Sequence, residues 1–321
     1  MGSMRAIAIN ATGGPEVLHL ADVEMPVRVN SEFLIKVVAA GVNPIDFKTR
    51  SGRGAAGAIS SFPVILGYDF SGTVVESPYE AHPIKPGDDV YGMTMVPRYG
   101  GTYAEYITVP STSVAKKPRA LSHVEAAAVP VAALTAWGAV VDVAKAHEGQ
   151  RMLIHAGSGG VGHFAIQFAA FFGARVITTG STRNSSWLRE LGASEVIDYS
   201  TTRFEDVVSG VDVVIDLIGN VIDNTGTRSL SVLKPGGLLV NVPTGSWPTL
   251  LEDAAAAGIR ATGYRVPADG STLAVISRLL ESGDVRVYVD QVFELEQAAA
   301  AHEALETGHT RGKVVLKVSD G

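Results

Sequence analysis

The sequence predicts an α/β fold in which a β-rich part precedes a doubly wound parallel sheet. Three observations predict it. Between residues 5 and 109, short runs of β-branched or alternating residues lie between Gly and Pro breakers. From residue 152 to 242 strand-like and helix-like stretches alternate, the mark of a doubly wound sheet. Within that stretch, the apolar run Met152-Leu-Ile-His-Ala156 feeds straight into Gly157-Ser158-Gly159-Gly160-Val161-Gly162, and residues 161–172 have the composition of a buried helix.

In chain order, Arg5–Ile9, Glu32–Ala40, Ser71–Val75 and Thr102–Val109 read as strands, and Pro86–Gly92 as a turn into another. The texture changes at Ser122. Ser122-x-x-Glu125 has the spacing of a capping box, and it opens an alanine-rich helical stretch from Val124 to Ala146. After the glycine run come the strand Arg175–Thr179, the helix Ser185–Leu191 and the strands Glu195–Asp198, Val211–Leu217 and Gly237–Val242. Tyr264–Gly270 reads as a crossing between domains. It is followed by a helix (Ser271–Glu281), a strand (Val287–Phe293), a second helix (Glu296–Glu306) and a last strand, Lys313–Val318. The opening Met1-Gly-Ser-Met4 reads as a cloning remnant ahead of a native Met4, outside the fold.

Strand, glycine turn and helix in this order form a dinucleotide-binding corner. Gly157 allows the tight turn, Gly159 lets the backbone approach a pyrophosphate, and Gly162 lets helix and strand pack closely. The diphosphate sits on N–H groups that the first helical turn leaves unpaired, where the helix dipole favours negative charge. An NAD-specific corner carries Asp or Glu about 20 residues past the glycines. Here the window Gly180-Ser181-Thr182-Arg183 holds no carboxylate. Its two hydroxyls and guanidinium suit a 2′-phosphate, so NADP(H) is preferred over NAD(H). The plainer reading of the window is a polar turn with a solvated arginine.

Composition narrows the function classes. The net charge of −7 and the absence of a basic run argue against a nucleic-acid binder. No apolar stretch is long enough to span a bilayer, and no secretion signal is seen, which points to a cytoplasmic protein. There is no cysteine, which removes disulfides, thiolate nucleophiles, iron–sulfur clusters and cysteine-ligated zinc. The eight histidines show no HxxxH or HExxH spacing, and His155 reads as a core residue beside the glycine turn.

Six segments then carry a resemblance along the whole chain. They are Ala39-Ala-Gly-Val-Asn-Pro-Ile-Asp46, Gly67-Tyr-Asp-Phe-Ser-Gly72, Lys85-Pro-Gly-Asp-Asp-Val-Tyr-Gly92, Gly101-Thr-Tyr-Ala-Glu-Tyr106, Ala156–Gly162 and Arg311-Gly-Lys-Val-Val-Leu316. With them the chain resembles the zinc-independent, quinone oxidoreductase-like branch of the medium-chain dehydrogenases/reductases. The resemblance implies a GroES-like catalytic domain over residues 4–125 and 265–321, a Rossmann domain over residues 126–264, and a cleft between them. Zinc-dependent relatives place a Cys and a His where this chain has Asn43 and Tyr68, neither of them a good zinc ligand, and the four-cysteine lobe is missing. No catalytic metal is expected.

Without a Lewis acid, the easier reaction is hydride transfer from NADPH to a conjugated system such as a quinone or an α,β-unsaturated carbonyl. Asn43 is a candidate to hydrogen-bond the substrate carbonyl or the nicotinamide ribose, Tyr68 a candidate to donate its phenolic proton, and Asp46 with Lys48 forms either a relay or an ion pair. Asn43 before Pro44 also suits a turn, Tyr68 also suits a pocket wall, and Lys48 a solvated position. By the same resemblance Thr135, Tyr199, Leu217-Ile218-Gly219, Asn241-Val242-Pro243, Gly312 and Lys313 approach the cofactor, although Lys313 also reads as an exposed charge at a strand start. Two other functions stay open: an enal, enone or enoyl-thioester reductase, and an NADPH-binding protein with weak or lost catalysis. A thioester on a carrier calls for a basic patch, for which Arg50, Arg53 and Arg98 are the candidates. The Gly/Ala/Ser-rich run Ser51–Ser61 reads as a lid, and with Ser246–Asp253 it shapes the acceptor pocket. A homodimer through an exposed sheet edge is the expected assembly.

Overall fold

The computed structural model describes residues 2–97 and 100–320. Arg98, a candidate for the basic patch, lies outside the described residues. The chain divides into two compact units, one made of the residues up to Leu134 with those from Pro267 onward, the other of Thr135–Val266.

The first unit begins with β1 (Ser3–Ile9), β2 (His19–Glu24), β3 (Glu32–Val42) and α1 (Pro44–Arg50). It continues with β4 (Val64–Ile65), β5 (Asp69–Glu76), β6 (Asp89–Met93), β7 (Tyr106–Pro110), β8 (Val114–Lys116), α2 (His123–Ala127) and α3 (Pro130–Trp137), the last reaching past the unit's boundary. A three-stranded sheet has the order β2-β1-β4. Ser3 pairs with Glu24 and Gly2 accepts from Met25 N–H, so residues expected to lie outside the fold join this sheet. The eleven-residue β3 pairs with β5 and with β7, and packs Phe33, Ile35 and Val37 against Phe70, Val90 and Tyr103 in the core. The Ser122 capping box forms, with Ser122 Oγ accepting from Glu125 N–H and Glu125 reaching back to Ser122 N–H. The helix it opens is shorter than expected. α2 stops at Ala127 and Pro130, which has no N–H to give, starts α3; Gly138–Val143 then widens to a π-turn.

The second unit holds β9 (Arg151–Ile154), α4 (Gly162–Phe171), β10 (Arg175–Gly180), α5 (Ser185–Glu190), β11 (Ala193–Asp198), α6 (Phe204–Val207), β12 (Val211–Asp216), α7 (Thr225–Ser229), β13 (Leu233–Asn241), α8 (Leu250–Ala256) and β14 (Arg260–Gly263). The six strands are all parallel, in the order β11-β10-β9-β12-β13-β14. This is the doubly wound arrangement, with its order reversing between β9 and β12. The carboxyl ends of strands at that reversal form the ligand crevice of such sheets. Buried apolar residues such as Leu153, Ile177, Val214 and Leu239 explain why the strands read as near-continuous hydrophobic runs.

The chain returns to the first unit through α9 (Gly270–Ser282), β15 (Val289–Glu294), α10 (Ala298–Glu306) and β16 (Lys313–Lys317). β16 is antiparallel to β3 and parallel to β15, so the chain's last strand lies inside the sheet rather than at its edge.

Candidate functional site

In the second unit the glycine turn leaves β9 at a residue with left-handed backbone, and that residue is Ala156 (φ +50°). The tight turn expected of Gly157 therefore falls one position earlier. What Gly157 supplies is room: a Cβ there would lie 2.1 Å from Thr178 Oγ1, which is held by Ile154 O at 2.7 Å. Gly162 is as constrained, since its Cβ would lie 2.2 Å from Ala156 O. Gly159 is different. Its Cβ would meet Ala156 O alone, at 3.3 Å, a tight contact rather than a clash, so of the three it is the least constrained from within the fold. Ser158, Gly160 and Val161 are half-buried and lead into α4, whose first turn offers N–H groups to an anion. A tightly packed turn that is least obstructed at Gly159 and ends on a helix N-terminus fits a dinucleotide diphosphate.

Ser181, Thr182 and Arg183 follow β10, and Tyr199 follows β11. Gly180 pairs with Asp198 and accepts from Tyr199 N–H at 3.4 Å, so the four residues gather at adjacent strand ends. Arg183 and Tyr199 are exposed. The window is less free of carboxylates than the local sequence implied. Asp198 accepts from Thr182 N–H at 3.0 Å and from Thr182 Oγ1, and from Ser200 N–H at 2.8 Å. Hydrogen bonds from Ser200 and Thr182 hold its carboxyl down at about 2.

Asp216, at the end of β12, organises the next part of the crevice, and the sequence reading missed it. Its Oδ1 accepts from Ile218 and Gly219 N–H at 2.9 and 2.7 Å, and its Oδ2 from Asn241 Nδ2 at 2.8 Å. Val242 N–H donates to its carbonyl at 2.9 Å. One buried acid thus fixes Leu217–Gly219 against Asn241–Pro243. Gly219 has φ +71° and a Cβ there would strike Ser246 Oγ at 2.0 Å. His155 is buried between Thr179 and Ser229 hydroxyls, with burial pushing its ring well below the ordinary histidine range, in keeping with a core role. Thr135 is buried in α3.

The first unit brings together Asn43, Asp69 and Lys313 from three separate segments. Asn43 caps α1, donating through Nδ2 to Asp69 Oδ2 at 2.8 Å and accepting from Lys313 Nζ through Oδ1. Lys313 Nζ also bonds Asp69 Oδ2 and Val42 O, each at 3.2 Å. Asp69 Oδ1 accepts from Val131 N–H at 2.6 Å at the start of α3. Lys313 is 3% exposed, so it is no surface charge. It starts β16 beside Gly312 (φ +80°), where a Cβ would lie 2.3 Å from Tyr288 O. Asp69 is fully buried, and burial raises its carboxyl against the pull of Lys313 and Asn43. Asn43, itself 3% exposed, therefore has both ends of its amide engaged.

Asp46 and Lys48 do not pair. Asp46 is buried, with Oδ2 accepting from Asn43 N–H at 2.7 Å and from the Tyr103 hydroxyl at 3.2 Å. Burial pushes its carboxyl up to about 7. Lys48 stays half-buried, its amine lowered by burial and by Arg53. Arg50 is 2% exposed, donates to Glu306 at 2.8 Å and to Gly13 O at 3.2 Å, and contacts His302 Nδ1 at 3.4 Å. It is thus a structural ion pair and no part of a surface patch, which leaves Arg53 exposed alone among the described candidates.

Tyr68 faces a cavity of about 210 Å³ lined by Thr49, Ala55, Ile59, Ser60, Leu66 and Pro97, among others. Its hydroxyl lies 3.5 Å from Pro97 O, and burial, then the charge of Asp46, raises its phenol further above an already high value. Of the four candidate catalytic residues it is the one that lines this cavity. Residues of the expected lid, Ser51–Ser61, form one side of it.

The side chains at the former metal positions do not fit zinc. They are an amide and a phenol, and the adjoining carboxylate is already bound to an ammonium. Among the described residues no three His, Cys, Asp or Glu are placed to hold a metal ion.

Comparisons with known proteins agree with this architecture. The family profile described as "Alcohol dehydrogenase GroES-like domain" matches residues 29–119, and that described as "Zinc-binding dehydrogenase" matches residues 191–316. A 2-methylene-furan-3-one reductase of Solanum lycopersicum is 36% identical over 98% of this chain and 79% of its own length. The solved quinone oxidoreductase of Coxiella burnetii is 40% identical, with a TM-score of 0.94 over 99% of this chain and 100% of that one. The Escherichia coli quinone oxidoreductase complexed with NADPH is 28% identical, with a TM-score of 0.87 over 98% and 100% of the two chains. The chain belongs to the medium-chain dehydrogenases/reductases, in the zinc-independent branch of quinone oxidoreductase-like enzymes. It joins a GroES-like domain to a Rossmann-type parallel sheet, and it is an oxidoreductase.

Proposed function

We propose that this protein is a metal-free, NADPH-dependent reductase of quinones and related conjugated carbonyls. The observation that carries the reading is Tyr68, a phenol kept protonated by burial in the wall of a small cavity. NADPH, when bound at the glycine corner, supplies a hydride. Gly157 and Gly162 let the turn pack tightly enough for Gly159 to face its diphosphate, and Ser181, Thr182, Arg183 and Tyr199 lie toward its adenosine end. The chain's own task is then to exclude water, orient the acceptor and deliver one proton to the oxygen on which charge develops. Tyr68 is the donor for that proton. Asp69, the residue after Tyr68, is held in place by Asn43 and Lys313. The relatives support NADPH as cofactor, one being solved with it.

The tomato relative, a 2-methylene-furan-3-one reductase, favours a second reading, carbon–carbon double-bond reduction in enals and enones, at the same site. An enoyl thioester on a phosphate-bearing carrier is less well served, because Arg50 is buried and already paired. Further parts of the proposal are a homodimer joined along β14, which ends its sheet, and a cytoplasmic location. No helix among the described residues is long and apolar enough to cross a membrane.

The test is NADPH oxidation against benzoquinone, phenanthrenequinone, 2-hexenal, an enone and crotonyl-CoA, with and without chelator and with NADH in parallel. Chelator-resistant quinone turnover that prefers NADPH supports the main reading. Preference for an enal or enone moves it to the second. Stoichiometric NADPH binding with no turnover of any acceptor overturns both in favour of a binding protein.

A further inference from the structure

Asp46 is a buried carboxylate one helical turn from the cavity-lining Thr49, and the function proposed above gives it no task. It occupies the third position of α1, one turn before Thr49, so the two share a helix face, and Thr49 lines the cavity together with Tyr68. Tyr103 closes the connection from the other side. Its ring packs against Gly67, the residue before Tyr68, so tightly that a Cβ on Gly67 would lie 2.4 Å from Tyr103 Cδ1. Its hydroxyl donates to Asp46 Oδ2.

The hydrogens around Asp46 all point one way. Arg50 only donates, so His302 accepts from it at Nδ1 and carries its own hydrogen on Nε2. Nε2–H donates to the Tyr103 oxygen at 3.2 Å, and the Tyr103 hydrogen goes to Asp46 Oδ2, which Asn43 N–H also reaches. Oδ1 is buried and receives no hydrogen bond. The carboxylate is therefore stabilised at one oxygen only, and a proton has one place to go, Oδ1. The charged and titratable groups around it are Asp69 on β5, Lys313 on β16, His302 and Glu306 on α10, Tyr68 and Tyr103 on the strand approaches, and Lys48 and Arg50 on its own helix. Asp69 opposes its ionisation and Lys313 favours it, but burial outweighs both.

We propose that Asp46 is a positioning residue for proton delivery, its charge state setting how readily the Tyr68 phenol gives its proton to the acceptor. This rests on Tyr68 being the donor. When Asp46 is ionised its negative charge opposes a phenolate at Tyr68; when it is neutral that opposition is gone. In the step itself the Tyr68 O–H bond breaks and an O–H bond forms on the acceptor, whose two electrons arrive with the hydride of NADPH. The Tyr68 phenolate then regains a proton from solvent. Turnover is accordingly faster with Asp46 protonated, below about pH 7.

The experiment is kcat against pH for the wild type, Asp46→Asn and Tyr103→Phe, with NADPH affinity measured alongside. Asn keeps an oxygen for both donors and cannot ionise. The wild-type kcat is expected to fall as pH rises through about 7, and Asp46→Asn to hold its low-pH rate at least about one pH unit further. Tyr103→Phe removes a hydrogen bond that favours the carboxylate and moves the fall to higher pH. A fall at the same pH in wild type and Asp46→Asn overturns the proposal, as does a flat wild-type profile. If Asp46→Asn does not fold, an unmoved fall in Tyr103→Phe overturns it. Silence of the wild type with every acceptor is a different failure, that of the function reading itself.

Discussion

The Lys313 ammonium lies 3.2 Å from the Asp69 carboxylate, with both side chains sealed from solvent. Asn43 completes the group, and Gly41 makes room for it, since a Cβ there would come within 2.7 Å of Asp69 Oδ2. Removing one member of a buried pair strands the other charge, which costs about 3–5 kcal/mol. Asp69→Asn and Lys313→Met are each expected to lower stability by that order in urea unfolding. The double variant is expected to lose less than the sum, and strict additivity would show that the two charges do not depend on each other.

The three glycines of the cofactor corner are separable. Gly162→Ala drives a Cβ into backbone and is expected to lower the melting temperature. Gly159→Ala brings a Cβ to 3.3 Å from Ala156 O, a single tight contact, so it should cost far less stability than Gly162→Ala while NADPH affinity falls about tenfold or more. Calorimetric titration beside thermal melts reads both quantities. Equal melting losses in the two variants would contradict the division of roles.

Under the proposed function, Arg183 and Asp198 are expected to set cofactor choice. Arg183→Ala is expected to weaken NADPH about ten- to a hundredfold, the worth of a charge-assisted hydrogen bond, and to leave NADH nearly unchanged. Asp198→Asn removes a negative charge beside the same window and is expected to shift preference further toward NADPH. Parallel dissociation constants for the two cofactors check both variants.

These expectations show how unevenly the site could be read from sequence. The corner was legible because its glycines are demanded by neighbours within a few residues, such as Ala156 O against Gly162. The capping box at Ser122 was legible for the same reason. Lys313 was read either as a cofactor contact or as an exposed charge, since its burial depends on β16 pairing with β3, some 270 positions away. Asp198 was missed because the second side of the Ser181–Arg183 window comes from the neighbouring strand rather than the local segment. Asp69 and Asp216 are single acids at strand ends with no spacing pattern. Their one visible signal is an Asp bordering a short apolar run, as in Val213-Val-Ile-Asp216.

Two buried groups give stability opposite slopes with pH. Burial raises Asp46 from 3.8 to about 7, so its contribution is full below about pH 4 and is lost as pH rises toward 7. Burial and Arg50 lower His302 from 6.5 to about 3, so its contribution is full above about pH 6.5 and is lost on acidification. Asp46→Asn removes only the first slope. Relative to wild type, the variant should therefore gain on the order of 3 kcal/mol between about pH 4.5 and 7 in urea unfolding. A constant difference across that interval would place Asp46 outside this linkage.

The position of β16 inside its sheet has a consequence for the order in which the protein is made. The Rossmann unit is one continuous stretch, Thr135–Val266, and has all its strands as soon as that stretch has left the ribosome. The first 134 residues have not. Until Lys313–Lys317 is synthesised, the Ala39–Val42 end of β3 has no partner on that side and Asp69 waits without its cation. The nascent chain thus carries an open strand edge for more than half its synthesis, a stage at which strands pair wrongly with other chains. Deleting only the segment from Lys313 onward is enough to leave every newly made molecule in that condition.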